Sequence, residues 1–188
     1  MSRPVALDTL IEQAHEPRQK LHDWFENLPE SLLIRNAKGD EASDDSVKSH
    51  GSLLVAYYTT HILVLRALLR PIVNPHANLD HLQSSVGAVL QASRELVQTV
   101  IQFIRRLDAR HQSAFWPSYT RHCLCYPGLF CYMLCSQQKE PHMASFDQGL
   151  LATWRTTLRT RVQSWPLLRF AIVKVDAIYW KKLHQAPA

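Results

Sequence analysis

The sequence predicts an all-α domain, an irregular multi-helix bundle around one central buried helix. The run from Gly51 to Pro71 carries apolar or aromatic side chains on nearly every face, which is typical of a helix enclosed by other helices. Five glycines and ten prolines, the latter mostly at segment ends, favour helices separated by turns. No segment alternates polar and apolar residues as a strand would. With 188 residues, 46% of them hydrophobic, the chain fits one domain, 1–188.

The central helix has a start signal and a stop signal. Gly51 and Ser52 form its expected N-cap, and Pro71 is expected to end it. A membrane span needs about 20 apolar residues with almost no charge. Polar groups at 57–61 and Arg66 interrupt this run, so we predict a core helix and no contact with a membrane.

A short helix and a loop are predicted ahead of it. Residues up to His15 are partly amphipathic, and Pro17 is expected to interrupt them. Apolar side chains at i, i+3, i+4 and i+7 then predict a helix over 18–29. These side chains are Leu21, Trp24, Phe25 and Leu28. Residues 35–50 are predicted to form a mobile surface loop, and its acidic cluster lacks the pattern of a calcium loop. The cluster consists of Asp40, Glu41, Asp44 and Asp45.

The longest periodic segment follows the central helix. Apolar residues from Leu82 to Leu107 advance in steps of three and four, which predicts an amphipathic helix of about seven turns. Its other face is expected to meet solvent and carries Gln91, Arg94, Glu95, Gln98, Gln102, Arg105 and Arg106. The loop 108–117 ends in Phe115 and Trp116, a bulky pair expected to anchor it in the core.

Three helical segments complete the predicted bundle. The run 118–138 should be kinked or divided at Pro127 and Gly128. Ser145 and Gln148 form a capping box that should start the next helix. Its buried side is expected at Leu150, Leu151, Trp154, Leu158 and Val162. A last helix should begin at Pro166. Its apolar stripe is expected at Phe170, Val173, Ala177 and Trp180, with Leu183 beyond.

The net charge of +5 is unevenly distributed. Residues 1–93 carry 8 Lys and Arg against 11 Asp and Glu, and residues 94–188 carry 13 against 5. The basic charges of the second half are spread along several helices rather than gathered in one run, which favours a solvated surface. Aromatic and basic residues do not interleave as in single-strand binders, so we predict no direct DNA contact by this chain.

The four cysteines fall within thirteen residues, at Cys123, Cys125, Cys131 and Cys135. Their spacing, C-x-C-x5-C-x3-C, matches no common zinc pattern. The first residues of the chain have no apolar core with a cleavage site, so no secretory signal is predicted. We therefore expect reduced thiols that pack in the core and no metal site.

The motifs of common catalytic and nucleotide sites are missing from the sequence. It has no G-x-G-x-x-G, no G-x4-G-K-[ST], no G-x-S-x-G and no H-E-x-x-H. His61 and His122 are the two histidines in apolar surroundings, where a satisfied core residue is the expected role. We predict no enzyme, no catalytic or cofactor-binding residue, and no cofactor.

Four stretches together resemble the fungal-specific transcription factor domain. They are LHDWFENLP at 21–29, GSLLVAYYTTHILVLRALLRP at 51–71, SAFWPSYTRHCLCYPGLFCYMLC at 113–135, and TWRTTLRTRVQSWPLLRFAIVKVDAIYW at 153–180. They are similar in order to the C-terminal part of that domain, the middle homology or regulatory region of fungal binuclear zinc-cluster factors. The branch they resemble contains cutinase, fatty-acid and acetamide utilisation activators.

The resemblance implies a nuclear protein that regulates RNA polymerase II transcription, with a helical region that acts through effectors, intramolecular contacts or coregulators and that could form a dimer. It also implies that the chain is a fragment of a larger helical regulatory domain or a regulator without its own DNA-binding module. Members of the family bind DNA through a six-cysteine zinc cluster of the C-x2-C-x6-C type, which this sequence does not contain. Zinc and DNA are thus implied only for that missing module.

A second interpretation stays open from the residues alone. The chain could be a helical binding module for a small apolar ligand or a protein partner, with no role in transcription. A crevice lined by Tyr57, His61, Trp116 and Cys123 would favour it.

Overall fold

The computed structural model describes residues 7–29, 32, 50–73, 82–137 and 141–185. Within these ranges the regular elements are helical and no strand occurs, so the all-α prediction is confirmed. The elements are α1 (Leu7–Glu26), α2 (His50–Val73), α3 (Gln83–Arg106), α4 (Ala109–Ser113), α5 (Thr120–Cys123), α6 (Tyr126–Gln137), α7 (Pro141–Arg161), a 3₁₀ turn (Pro166–Leu168) and α8 (Arg169–Gln185).

Helix α2 lies at the centre of the bundle, where it packs against α1, α3, α5 and α6. Its inner face is almost fully buried at Ile62, Leu68 and Leu69. Its outer face is not fully enclosed, because the Leu63 side chain is 43% exposed. The central position was predicted correctly, while enclosure on every face was not.

Helix α2 is also the one helix of the described residues that is long and apolar enough, over Gly51–Ile72, to cross a membrane. That criterion considers length and composition only, and the core helix of a soluble protein meets it as well.

Two prolines lie inside helices that they were expected to end. Pro17 lies within α1 and Pro71 within α2. A proline interior to a helix loses one backbone hydrogen bond and crowds the preceding turn. In α1, Leu10 and Ile11 before Pro17 and Phe25 after it pack against the core, whereas Trp24 of the predicted stripe is 39% exposed. Tertiary packing therefore holds α1 together across the proline.

Helix α3 confirms the predicted amphipathic helix almost to the residue. Its core face is buried at Val97, Val100 and Ile104. The prediction was wrong for Arg94, which was assigned to the solvent face but is only 5% exposed. Its Nε donates to Oδ1 of Asp147 at 2.8 Å and its Nη2 to Oδ2 at 3.1 Å, which gives a buried two-point ion pair between α3 and α7.

The run 118–138 is divided into α5 and α6, as predicted, but the break comes earlier than the proline. The chain turns at Leu124 and Cys125, and Pro127 lies in the first turn of α6, where a missing amide costs little. Gly128 packs against Trp154 of α7 and Val175 of α8. The glycine thus marks a close approach of three helices rather than a kink.

Helix α7 begins at Pro141, so the capping box predicted at Ser145 and Gln148 is wrong. Proline suits a first helical position because its amide would have no partner there. The predicted buried side is confirmed at Leu150, Leu151, Trp154 and Leu158, whereas Val162 is half-buried.

The loop between α3 and α5 contains the short helix α4, which Asp108 caps by accepting from the His111 amide at 3.0 Å. Trp116 is half-buried, with its ring centroid 4.8 Å from that of Trp165. Its ring also touches Gly51, where a Cβ atom would lie 2.5 Å from it. Phe115 is 79% exposed, so only Trp116 anchors this loop.

Helix α8 turns a different face to the core from most of the predicted stripe, although Phe170 of that stripe does pack against the core. Val173 and Trp180 are 65% and 55% exposed and Ala177 is exposed, while Ala171 and Val175 are fully buried. Asp176 joins α8 to α7, because it accepts from Arg155 at 2.8 Å and from Arg159 at 2.7 Å, both on α7. The Tyr132 hydroxyl adds a hydrogen bond to the Val175 carbonyl at 3.0 Å.

The predicted loop 35–50 and its acidic cluster lie outside the described residues, except for His50, where α2 begins. The side chain of Leu183 lies outside them as well.

Candidate ligand pocket

A partly enclosed cavity lies between α1, α2 and α3, and we call it the three-helix pocket. Its volume is about 180 Å³. The residues that line it are Phe25, Leu54, Tyr58, Thr99, Gln102, Phe103 and Arg106. A second cavity, lined in part by Tyr58, Ile62 and Cys123, has about 10 Å³, which is close to the space that one water needs. Of these two cavities, the three-helix pocket is the one with room for an organic ligand.

Aromatic rings form one side of the three-helix pocket. Tyr57 and Tyr58 are consecutive on α2, so their side chains leave the helix in different directions. The Tyr57 ring stacks on Phe25 of α1 with centroids 4.5 Å apart, and the Tyr58 ring lies 5.3 Å from Phe103 of α3. Trp24 extends the cluster with a centroid 5.7 Å from Tyr57. These contacts join α1, α2 and α3 at the pocket.

The opposite side is polar and comes from one face of α3. Thr99, Gln102 and Arg106 follow one another at helical spacing, and all three are exposed. Burial raises the pKa of the Tyr58 hydroxyl above its usual value, and the positive charge of Arg106 opposes that increase. Tyr58 is therefore neutral at physiological pH and can donate or accept a hydrogen bond.

His61 lies one turn after Tyr57 on α2, and the centroids of the two rings are 4.9 Å apart. Burial lowers its pKa below the ordinary value of 6.5, and Arg18 and His22 of α1 lower it further. Its Nε2 is buried and has no hydrogen-bond partner among the described residues. The fold therefore favours the neutral ring.

The low pKa of His61 predicts a loss of stability in acid. As the pH falls below 6.5, the unfolded chain takes up a proton before the folded chain does, so the free energy of unfolding decreases. His61→Leu should remove part of this decrease, whereas His142→Gln, at an exposed histidine of α7, should not. Urea unfolding of the three proteins at pH 7.5 and pH 5.5 measures the difference. Equal losses in all three would contradict the prediction.

The crevice expected from Tyr57, His61, Trp116 and Cys123 is not formed as a single site. Tyr57 and His61 are neighbours on α2, but Trp116 packs on Trp165, and Cys123 lines the smaller cavity. His122, expected in the core, is exposed and lies edge-on to Phe170 with centroids 4.8 Å apart. Sequence reasoning missed Arg106, because it read the residue only as part of a solvated face.

No disulfide joins the four cysteines, which lie in or beside the core. Cys125 and Cys131 are buried, and Cys123 and Cys135 are half-buried. Burial raises the pKa of the Cys125 thiol to about 11 and raises that of Cys131 as well, so both stay protonated at neutral pH. In the described part of the chain, no group of three or more histidine, cysteine, aspartate or glutamate side chains could hold a metal ion.

The structure is thus a helical domain with a small pocket beside its central helix. Comparison with known proteins shows which class of protein it resembles. The chain is 26% identical over 183 residues to the transcriptional activator protein DAL81 of Saccharomyces cerevisiae, which covers 96% of this chain and 16% of that protein. It is 31% identical over 104 residues to the transcriptional activator protein acu-15 of Neurospora crassa, covering 55% of this chain and 10% of that protein.

The chain is thus a homologue of a region of fungal transcriptional activators, and the resemblance to a regulatory region of fungal transcription factors is confirmed. It spans about a sixth of the yeast relative and a tenth of the Neurospora relative. No family model matches the chain, and no solved structure matches it. The finer assignment to the cutinase, fatty-acid and acetamide branch stays a prediction.

Proposed function

We propose that this chain is a regulatory region of a fungal transcription factor, through which effectors or coregulators control transcription by RNA polymerase II. The observation that carries the proposal is the match of 183 residues, almost the whole chain, to one segment of a yeast transcriptional activator. The all-helical fold is compatible with this role, which requires that a ligand bind one packing of the bundle better than another.

We assign DNA binding to a different module of such a protein. The cysteine side chains of this chain pack in or beside the core. The sequence contains no C-x2-C pair, which a zinc cluster of that family would need. The protein would therefore reach DNA through residues outside this chain. We assign it to the nucleus, and we assign no catalytic activity to it.

We further propose that residues 1–188 act as a single all-helical unit, the C-terminal part of a larger regulatory domain. Contacts between distant segments support this, since α2 packs on α6 and α3 packs on α7. The buried ion pair between Arg94 and Asp147 also joins α3 to α7.

A tethering experiment tests the regulatory role. The full chain is fused between a bacterial DNA-binding domain and a constitutive activation domain, and a reporter with the bacterial operator is measured in a fungal host. We expect the inserted chain to change reporter transcription, and we expect the size of the change to depend on the growth medium.

The matched control carries an unrelated helical domain of similar length in the same position and should leave transcription independent of the medium. Immunoblotting shows that both fusions are present at the same level. Identical transcription with this chain and with the control in every medium would overturn the proposal.

A further inference from the structure

We propose that the three-helix pocket binds a small monocarboxylate with an apolar body, and that this ligand is the effector of the regulatory region. The second part rests on the function proposed above, while the first part does not. The argument uses the volume of the pocket, its apolar side and the charge of Arg106.

The apolar side of the three-helix pocket is already fixed in place. Leu54 and Phe103 are 4% and 7% exposed, so their positions are set by the core. Phe25 is held by its stacking on Tyr57. A ligand that packs against these side chains does not have to order them first, which lowers the cost of binding.

Arg106 supplies the charge. Among the ion pairs within the part of the chain that the structure describes, none involves its guanidinium. Its influence on the pKa of Tyr58 shows that its charge acts at the pocket. A guanidinium beside an apolar wall recognises a carboxylate through two parallel hydrogen bonds.

Gln102 and Tyr58 provide further hydrogen-bonding groups in the three-helix pocket. Both line the same pocket as Arg106. The Gln102 amide and the neutral Tyr58 hydroxyl are donors that can satisfy the remaining lone pairs of a bound carboxylate. Thr99 contributes less, because its hydroxyl already donates to the Glu95 carbonyl at 2.9 Å.

The volume limits the size of the ligand. A cavity of about 150 Å³ holds one benzene molecule, and the three-helix pocket has about 180 Å³. An aromatic or branched aliphatic body with one carboxylate fits this space. Drug-sized ligands occupy pockets of about 300 to 1,000 Å³, so we do not expect a large ligand such as a fatty acid or a nucleotide.

Binding is tested on the full 188-residue chain labelled with ¹⁵N. Benzoate and 3-methylbutanoate are titrated separately, and the amide resonances of 99–106 are followed. We expect saturable shifts with both acids. Benzamide has the shape of benzoate without its charge and is expected to bind on the order of tenfold more weakly, because the charge-assisted hydrogen bonds are lost.

Arg106→Gln is expected to weaken the binding of both acids on the order of tenfold as well. The matched control is Arg70→Gln, because Arg70 also lies in the last turn of a long helix, is exposed, and is outside the pocket. It should bind like the unmodified chain. Thr99→Leu keeps the charge but fills part of the cavity, and it too should bind more weakly. Circular dichroism of each variant shows that the helices are intact.

The binding site is overturned if neither acid gives saturable shifts at millimolar concentration, if benzamide binds as tightly as benzoate, or if Arg106→Gln binds like Arg70→Gln. The effector role is tested separately with Arg106→Gln in the tethered fusion, where the medium dependence should become weaker. Binding that weakens as expected in this variant, without any change in the reporter, would overturn the effector role and leave the site. A reporter that never responds to the chain would overturn the regulatory function and also leave the site.

Discussion

Asp147→Asn is expected to lower the free energy of unfolding by about 3 to 5 kcal/mol, the usual cost of removing one partner from a buried ion pair. The cost is large because Arg94 would keep its charge at 5% exposure with no carboxylate to accept from its Nε and Nη2. Urea unfolding followed by circular dichroism measures it.

The double variant Arg94→Met, Asp147→Leu should recover most of that loss. Two apolar side chains of similar volume need no compensation for buried charge, and such replacements are often neutral or stabilising. Arg159→Ala is the surface control: Arg159 is about half exposed, and Asp176 keeps Arg155 as a partner, so the expected change is at most about 1 kcal/mol. If Asp147→Asn costs no more than Arg159→Ala, the pair does not have the stabilising role assigned to it.

Gly128→Ala is expected to destabilise the fold by about 1 to 3 kcal/mol, although alanine is the better helix former. The added Cβ would lie 2.4 Å from Cγ2 of Val175 and 3.1 Å from the Trp154 ring. Both neighbours are fully buried and have little room to move. Thermal and urea unfolding measure the change.

Two other glycines provide controls in which alanine is expected to raise the free energy of unfolding instead of lowering it. A Cβ added at Gly87 or Gly149 would meet nothing within 4 Å. Both residues lie inside long helices, so alanine there should stabilise the protein by about 0.4 to 1 kcal/mol. A Gly128→Ala protein as stable as Gly87→Ala would show that α6, α7 and α8 do not approach each other as closely as described.

The exposed side of α8 shows where sequence reasoning stops. Val173, Ala177 and Trp180 form a stripe with Phe170, and a periodic stripe normally faces the core. Phe170 does pack against the core, but the other three are exposed. A second apolar set at helical spacing packs there instead: Leu168, Ala171, Ile172, Val175 and Ile178. Periodicity within one helix does not rank two such stripes, because the ranking depends on the helices against which each one packs.

The three-helix pocket could not be predicted from the sequence for a related reason. Its motifs were visible, since Phe25 belongs to the LHDWFENLP stretch and Tyr58 to the AYY stretch. The spacing of apolar residues did not predict that polar residues of α3 also line the pocket. Arg106 has the same sequence signature as any solvated arginine on an amphipathic helix, and only its neighbours in space distinguish it.

The sequence by itself determined that this protein is all-helical, which segments form α2, α3 and α7, and that it resembles regulatory regions of fungal transcription factors. These follow from side-chain periodicity and motif order, which are properties of the chain read locally. Only the tertiary structure decided that α1 and α2 continue through their prolines, how α8 is rotated, that Arg94 is buried and that a pocket lies beside α2. Each of these depends on groups far apart in the chain, such as Arg94 and Asp147 at a separation of 53 residues, whose interaction free energy exists only after the helices have packed.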